Sequence, residues 1–247
     1  MFLDQIYQQV PLNIREQQRA IFTRLRLNNM LEFHSHFISH NDIVFDIGAN
    51  VGDYTAIYDK LGARVICLEP QPYCIKKLKE RFVNKDNITI VEKGVSDKEG
   101  IMLLSTDPKN HATATFSPKF KRQGPFNNRE WNKDIPTQTT TLNQLIEEYG
   151  QLSYCKIDVE GYEYEVLKTL KHPIKYLSFE YTKSLLDKTE KCMDFLKTLG
   201  KPYFNFSICT RFTKLILPEW TNDKEFVLSK IKNHKRGFAG DIFVKFE

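Results

Sequence analysis

The residues with the clearest chemical potential form a glycine turn after a short apolar run: Asp46-Ile47-Gly48-Ala49-Asn50-Val51-Gly52-Asp53. Glycines there let the backbone approach a ligand more closely than a side chain would allow. A dinucleotide fingerprint, G-x-G-x-x-G, would need glycines where this chain has Asn50 and Asp53. Asp53 would also repel a pyrophosphate at the start of the following helix. The turn therefore predicts a cofactor site and disfavours NAD and FAD.

S-adenosylmethionine fits this turn because it has no phosphate and carries a sulfonium and an ammonium group against one carboxylate. Asp46 and Asn50 could each accept a hydrogen bond from the ammonium or brace the loop. Glu69 follows the turn by about twenty residues, where an acid is placed to accept from two ribose hydroxyls. It could instead be an acid at the start of a helix. Gly94 could pass along an adenine face or be a simple turn residue.

Two further acids follow a predicted central strand, in Lys156-Ile157-Asp158-Val159-Glu160-Gly161. Asp158 and Glu160 are two residues apart, so in an extended strand they share a face and raise each other's pKa. A hydroxyl acceptor must lose a proton during methyl transfer, and a carboxylate or a histidine can take it. We predict Asp158 and Glu160 as the first catalytic candidates and His111 as the third. Glu180, which ends the next strand, completes an acidic rim.

Other roles for these residues stay open. The acids could hydrogen-bond loop amides or cap the following helix. A divalent metal is disfavoured because no histidine accompanies the acids at ligand spacing. His36 and His40 could share a metal, but they lack a third ligand, and an exposed helix end is the favoured interpretation. An enzyme that methylates base nitrogens would show two prolines and an aromatic residue where this chain has Asp-Val-Glu-Gly, so the acceptor is not expected to be a base nitrogen.

The elements that must position these residues begin near Asp42, where short apolar runs start to alternate with amphipathic segments. This alternation predicts a doubly wound α/β domain over residues 42–247, with helices near 53–61, 72–83, 141–149 and 162–171. Residues 1–41, with apolar positions at near-helical intervals, predict an N-terminal extension of one or two helices. Residues 105–139 carry four prolines and no sustained apolar period, which predicts a long loop that covers the ligand crevice and faces the acceptor.

The composition agrees with an enzyme that folds on its own. Among the 247 residues, 41% are hydrophobic and 27% are charged, which disfavours a disordered or fibrous chain. The net charge of +5 comes from basic residues that mostly alternate with acidic ones, so a nucleic-acid partner is disfavoured. The start of the chain has no secretory pattern, and no apolar stretch approaches the length of a membrane span. The five cysteines form no C-x-x-C pair, which favours reduced thiols and a cytoplasmic protein.

Taken together in their order, several motifs resemble the FkbM-type family of S-adenosylmethionine-dependent methyltransferases. The motifs are Val44-Phe45-Asp46-Ile47-Gly48-Ala49-Asn50-Val51-Gly52, Leu68-Glu69-Pro70, Gly94-Val95-Ser96-Asp97, Thr141-Leu142, Lys156-Ile157-Asp158-Val159-Glu160-Gly161-Tyr162-Glu163 and Gly240-Asp241-Ile242. The resemblance implies a Rossmann-like sheet of seven strands whose last strand is antiparallel. It also implies O-methylation of sugars, polyketides or related secondary metabolites, and cofactor contacts from Asp46, Gly48, Asn50 and Glu69.

The sequence thus predicts an O-methyltransferase that acts on a hydroxyl of a sugar, a glycan precursor or a secondary metabolite and releases S-adenosylhomocysteine. The predicted cofactor-binding residues are Asp46, Gly48, Ala49, Asn50, Gly52, Glu69, Pro70, Gly94, Val95 and Asp158. One alternative is a nucleic-acid methyltransferase, suggested by the slight basic excess and by the aromatic residues Tyr203, Phe204 and Phe206. Another is a non-catalytic cofactor-binding protein whose N-terminal helices join copies of the chain into a homo-oligomer.

Overall fold

A computed structural model describes residues 12–107, 109–208, 214–235 and 237–247, with side chains described from residue 24 onward. The elements in chain order are α1 (Leu12–Ser35), β1 (Ile43–Ile47), α2 (Asp53–Lys60), β2 (Arg64–Leu68), α3 (Pro72–Arg81), β3 (Ile88–Val91), β4 (Gly94–Val95), β5 (Gly100–Asp107), β6 (Asn110–Thr115), α4 (Pro118–Gln123), β7 (Lys133–Thr140), α5 (Leu142–Tyr149), β8 (Tyr154–Ile157), α6 (Glu163–Leu167), β9 (Tyr176–Thr182), a 3₁₀ helix (Lys183–Leu185), α7 (Leu186–Leu199), β10 (Pro202–Phe206), α8 (Lys224–Asn233) and β11 (Ala239–Phe246).

The larger sheet has the strand order β10-β11-β9-β8-β1-β2-β3. Strands β3, β2, β1, β8 and β9 are parallel, and β11 runs antiparallel to both of its neighbours. The doubly wound α/β class predicted from the sequence is confirmed. Strand order reverses between β1 and β8, and ligands of such sheets bind at the carboxyl ends of the strands at this point. The central strands β1 and β8 are buried along almost their whole length, as parallel strands covered on both faces must be.

A second sheet, of order β4-β7-β5-β6, contains residues 105–107, 110–115 and 133–139 of the segment from 105 to 139. The prediction of a long loop there was wrong. Strand β7 pairs antiparallel with β5, from Gly100 opposite Thr139 to Thr106 opposite Lys133. The inward positions of β7 are Thr137 and Thr139, and the apolar residues of β5 include the exposed Ile101 and Leu103. Because hydroxyl side chains occupy the inner face, the segment has no apolar period to reveal its strands.

The N-terminal segment is joined to the domain by aromatic packing. Helix α1 is one helix over its described range, and residues 1–11 lie outside the described chain. Phe37, just after this helix, stacks on Tyr154 and Phe243 with ring centroids 5.9 and 5.6 Å apart. Met30 and Ile38 belong to the same buried cluster. The last part of the predicted extension is thus part of the core, while its role in joining copies of the chain stays a prediction.

The remaining helices differ from the sequence-based expectation in two places. Helix α6 covers Glu163–Leu167 and is shorter than the predicted 162–171. Helices α4, α7 and α8 were not predicted, although α7 buries Thr189, Cys192, Met193 and Leu196 at helical spacing. Cys67, Cys74, Cys155 and Cys192 are free and buried, in agreement with reduced core thiols, and Cys209 lies outside the described residues. Among the described helices, none has the length and apolar character needed to cross a membrane.

Candidate active site

A cavity of about 370 Å³ opens at the carboxyl ends of β1, β2, β8 and β9, where the strand order reverses. This volume is in the range of small-molecule sites. Strand β6 of the second sheet supplies one wall, so the segment predicted to cover the crevice does line it. The lining segments are 47–51, 53–54, 68–71, 93–95, 111–112, 114–116 and 158–160, together with Leu104 and Glu180.

Gly48 lies where the turn after β1 meets the end of β8. Its φ is +82°, and a Cβ atom there would lie 1.9 Å from the carbonyl oxygen of Asp158. The amides of Gly48 and Ala49 both donate to the Leu68 carbonyl at 3.0 Å. Asn50 also has a positive φ of 51°, a conformation that asparagine tolerates better than most residues. The turn is therefore fixed by strand packing and by backbone hydrogen bonds on both sides.

Asp46 and Gly52, which were predicted to contact the cofactor, do not line the cavity. Asp46 is 1% exposed and accepts a 2.6 Å hydrogen bond from the hydroxyl of Thr55 in α2. Burial raises the pKa of Asp46 to about 6, against the opposing effect of this hydrogen bond. A Cβ atom on Gly52 would lie 2.5 Å from the Phe82 ring. Asp46 thus bonds α2 behind the turn, and Gly52 leaves room for the Phe82 ring, while the other predicted cofactor-binding residues line the cavity.

Glu69 joins the loops that follow β1 and β2. One carboxylate oxygen accepts from the Asn50 amide and the other from the Gln71 amide, both at 2.9 Å. The residue is 3% exposed, and burial raises its pKa to about 7 despite these hydrogen bonds. A carboxylate has about four lone-pair sites, so each oxygen can accept one more hydrogen bond. Glu69 thus bonds an amide at the start of α3, as the helix-start alternative predicted, and its remaining lone pairs can still accept from two ligand hydroxyls.

His111 is bound to the glycine turn. Its ring Nδ1 lies 2.7 Å from Asn50 Oδ1, which requires Nδ1 to carry the proton, and its carbonyl accepts from the Gln71 side chain at 2.9 Å. At the other end of β6, the Thr115 hydroxyl donates to the Glu160 carbonyl at 2.7 Å. Strand β6 therefore spans the cavity from the Glu69 side to the Glu160 side. The described hydrogen bonds of His111 join it to Asn50 and Gln71. They do not join it to Asp158 or Glu160, the other two predicted catalytic residues.

Three carboxylates are brought together at the opposite side of the cavity. Asp158, Glu160 and Glu180 each offer an oxygen, and these atoms lie within 4.8 Å of one another. Burial, followed by the nearby acids, raises the pKa of Glu160 and Glu180 well above the usual value for glutamate. Carboxylates this close do not all ionise at neutral pH. The three residues are called here the carboxylate cluster, and its two glutamates therefore keep a proton to higher pH than an ordinary glutamate does.

A buried lysine behind the carboxylate cluster was missed by sequence reasoning. Lys156 Nζ lies 2.8 Å from Asp158 Oδ2, 3.7 Å from Asp241 Oδ1 and 4.5 Å from the centre of the Tyr54 ring. The signal available in the sequence was a lone cation inside the otherwise apolar strand β8. The carboxylate cluster is a set of donors that a hard cation could use. Lys156 bonds only one oxygen of Asp158, and the expectation that the three acids hold no metal stays a prediction.

The loop between β8 and α6 is closed by a fourth acid, Glu163. Its Oε1 accepts from the Gly161 amide at 3.0 Å and from the Val159 amide at 3.3 Å. Glu160, between these two residues, has a positive φ of 53°, which is uncommon for glutamate. Burial raises the pKa of Glu163 to about 7, although the two loop amides act in the opposite direction. Glu163 thus holds the loop that carries Asp158 and Glu160 of the carboxylate cluster.

The sequence model of the Methyltransferase FkbM domain matches residues 46–203. The chain is similar to the hexuronic acid methyltransferase AglP of Haloferax volcanii, with 24% identity over 196 residues that cover 78% of this chain and 72% of the relative. Among solved structures, precorrin-6y C5,15-methyltransferase of Geobacter metallireducens aligns with a TM-score of 0.47, 13% identity and coverage of 90% of this chain and 87% of the other. A Streptococcus mutans protein described as a methyltransferase, in complex with SAH, aligns at 0.44 and 12% over 87% and 94% of the two chains.

The substitution Gly48→Ala tests whether strand packing fixes the turn. The added Cβ would meet the Asp158 carbonyl at 1.9 Å in a backbone conformation that alanine rarely adopts, so we expect a loss of more than about 2 kcal/mol in the free energy of unfolding. Urea unfolding measures it. The control is Gly200→Ala, whose Cβ would find an ordinary 3.5 Å contact with Phe246. Equal stability of the two variants would contradict the packing constraint.

The substitution Glu163→Gln tests the buried acid that closes the loop. The folded-state pKa of about 7 lies above the usual 4.5, so the stability contributed by proton uptake is complete below pH 4.5 and is lost as pH rises through 7. Glutamine keeps an acceptor for both amides and does not ionise. At pH 8 we expect the variant to be more stable than the wild type by up to about 3 kcal/mol, with a smaller difference at pH 5.

Urea unfolding of both proteins at the two pH values measures this difference. Glu147→Gln, which changes an exposed acid of α5, is the matched control and should show no difference that grows with pH. A stability gap between Glu163→Gln and the wild type that stays constant from pH 5 to pH 8 would refute the assignment.

Proposed function

The chain belongs to the FkbM methyltransferase domain family, and on that basis we propose that it transfers a methyl group from S-adenosylmethionine to a hydroxyl of a sugar, a glycan precursor or a secondary metabolite. One observation carries the proposal: a single cavity has a buried carboxylate, Glu69, on one side and the carboxylate cluster on the other. The first suits the ribose of the donor and the second suits a proton-donating acceptor. A sugar acceptor is supported by the name of the relative, a hexuronic acid methyltransferase.

The donor side is built from the turn after β1 and the ends of β2 and β3. Glu69 is assigned to the two ribose hydroxyls, because each of its oxygens can accept one further hydrogen bond. The segment from Gly48 to Asn50 is assigned to the methionine part, and Gly94 with Val95 to the adenine. A bound donor supplies an electrophilic methyl group on a sulfonium. Its positive charge favours placement toward the acidic side of the cavity.

The acceptor side holds the proton acceptor. In the proposed reaction, a lone pair of the acceptor oxygen forms a bond to the methyl carbon while the carbon–sulfur bond breaks and its electron pair stays on sulfur. The hydroxyl proton passes to a carboxylate of the cluster, with Asp158 and Glu160 as the first candidates. Alignment of oxygen, methyl carbon and sulfur supplies much of the rate, and the carboxylate supplies about 100-fold or more. His111 contributes on the donor side by holding Asn50.

The aromatic residues that suggested a nucleic-acid methyltransferase are mostly not available to bind bases. Phe204 and Phe206 are completely buried, so they pack in the core and are not available to stack on bases. Tyr203 is half-buried beside Lys201 and Lys245. A steep fall of RNA binding with salt would restore this alternative.

Donor binding is tested by calorimetric titration of S-adenosylhomocysteine into the wild type and Glu69→Gln. We expect binding to the wild type and an affinity that is about 10-fold to 100-fold lower in the variant, because glutamine cannot accept from both hydroxyls and both amides. Glu80→Gln, an exposed acid of α3, should bind as the wild type does. Thermal unfolding checks that Glu69→Gln is folded. No heat with the intact protein would reject the proposed donor.

Methyl transfer is tested with labelled S-adenosylmethionine and a panel of sugars and sugar nucleotides, with the product position defined by mass spectrometry and NMR. We expect a methyl ether. Glu160→Gln should lower kcat by about 100-fold or more with donor affinity nearly unchanged, and Asp158→Asn should lower both. Glu225→Gln, on the exposed face of α8, should keep full activity. Unchanged turnover in both cluster variants would favour a role without carboxylate catalysis, and methylation at nitrogen would refute the hydroxyl acceptor.

A further inference from the structure

Lys156 is a buried cation, and the proposed methyl transfer assigns it no direct contact with the donor or the acceptor. It is 1% exposed and belongs to β8, whose other residues are Tyr154, Cys155 and Ile157. Removing an ammonium group from water is costly unless negative charge and hydrogen bonds replace the solvent. Lys156 finds that compensation in Asp158 at 2.8 Å and Asp241 at 3.7 Å. Two carboxyl groups therefore face one ammonium behind the cavity wall, and burial raises the pKa of Asp241 although Lys156 opposes this effect.

Asp241 reaches this position because β11 lies beside β9. Asp241 is directly opposite Glu180 in the antiparallel ladder, an arrangement in which like charges repel. It is 3% exposed, and its Oδ1 makes no hydrogen bond within the described chain. The ammonium of Lys156 is the nearby cation that faces this oxygen. The pair Lys156–Asp241 is thus a buried charge pair directly behind the carboxylate cluster.

Tyr54 holds the ammonium from a third direction. The residue is in the first turn of α2, directly after the glycine turn, and its ring centre lies 4.5 Å from Lys156 Nζ. An ammonium at this distance from an aromatic face is attracted by the ring quadrupole. Tyr54 also lines the cavity. Lys156 therefore connects the donor-side helix, the last strand and the carboxylate cluster.

On the basis of the proposed methyl transfer, we propose that Lys156 is a positioning residue: held by Asp241 and Tyr54, it fixes the Asp158 carboxylate at the cavity wall and supplies the positive charge that lets one carboxylate of the cluster be ionised at neutral pH. The lysine keeps its protons throughout. The proton of the acceptor hydroxyl goes to a carboxylate oxygen, and the Lys156 charge stabilises that carboxylate before it accepts the proton. Asp241 acts in the opposite sense, as a negative charge behind Glu180.

Other charged groups face the same region and must be considered. The acids are Asp46 from β1, Glu163 from α6, and Glu160 and Glu180 from the cluster itself. Arg129 opposes the raised pKa of Glu160, as Lys156 does, and Tyr154 lies beside Lys156 in β8. His34 contributes no charge near neutral pH, because burial and then Lys156 lower its pKa to about 3. The lysine therefore acts on an environment that is mainly acidic.

The acid limb of the pH profile of kcat should shift in opposite directions in Lys156→Met and Asp241→Asn. Shifts of opposite sign distinguish a positioning role of Lys156 from a purely structural one. Without the cation, Lys156→Met should raise the pKa of Glu160 further, so the acid limb of the kcat profile should move to higher pH by about one unit or more. At neutral pH kcat should then fall about 10-fold or more and recover at higher pH. Asp241→Asn removes a negative neighbour of Glu180 and should move the limb to lower pH. A defect of packing alone would not give shifts of opposite sign.

The measurement is the pH profile of kcat at saturating donor, together with a ¹³C NMR titration of the glutamate side-chain carboxyl carbons in the same proteins. Lys224→Met is the matched control, since Lys224 on α8 also pairs with two acids, Glu190 at 2.9 Å and Asp194 at 2.7 Å. Lys224→Met should change neither the acid limb of the pH profile of kcat nor the NMR titration of the glutamate carbons. If Lys156→Met does not fold, Lys156→Gln replaces it in the comparison with Asp241→Asn, because glutamine removes the charge and keeps polar atoms that can bond Asp158; the same opposite shifts are expected.

The outcomes separate this inference from the proposed function. The role of Lys156 would be overturned if Lys156→Met and Asp241→Asn left the acid limb of the kcat profile and the glutamate titrations unchanged. Shifts of the same sign in the two variants would also overturn it. The NMR titration needs no turnover, so opposite shifts of the glutamate carbons would support Lys156 as the charge that controls the cluster even if no hydroxyl acceptor were methylated. In that case the proposed reaction would fail while the electrostatic role remained.

Discussion

The close approach of β1 and β8 is the constraint on which the site depends. At this point a Cβ on residue 48 would lie 1.9 Å from the Asp158 carbonyl oxygen, so only glycine allows the two strand ends to meet. Their contact places the glycine turn and the carboxylate cluster on opposite sides of one cavity. Strand β6 then spans both sides, bonded to the Asn50 side chain at one end and to the Glu160 carbonyl at the other.

The site brings buried and half-buried acids together, and these acids differ in which groups oppose the cost of their burial. Glu69 and Glu163 accept from backbone amides, Asp46 from a threonine hydroxyl, and Asp158 from the ammonium of Lys156. For Glu160 and Glu180 no side-chain hydrogen bond is described, and burial raises their pKa values well above the usual range. The amide-bonded acids shape loops, whereas the cluster keeps its capacity to bind and exchange protons with a ligand.

Much of the site could be predicted from the sequence, because the carboxyl ends of parallel strands meet at one edge of a sheet. That rule brought Gly48, Glu69 and Asp158 together without any knowledge of side-chain geometry. It could not place Asp241, which reaches Lys156 only because β11 inserts between β9 and β10. Apolar periodicity failed for residues 105–139 because threonines such as Thr137 occupy the inner face of β7. Helix α7 differs, since its buried positions follow a helical period that the sequence does contain.

The most direct test of the account is a crystal structure of the protein with S-adenosylhomocysteine. The account predicts both ribose hydroxyls within hydrogen-bonding distance of Glu69, about 2.5 to 3.0 Å between oxygens, with the sulfur directed toward the carboxylate cluster. It also predicts that the Lys156–Asp158 ion pair is retained in the complex. A ligand bound outside this cavity, or one whose adenine lies against Asp158, Glu160 and Glu180 while the ribose makes no contact with Glu69, would contradict it.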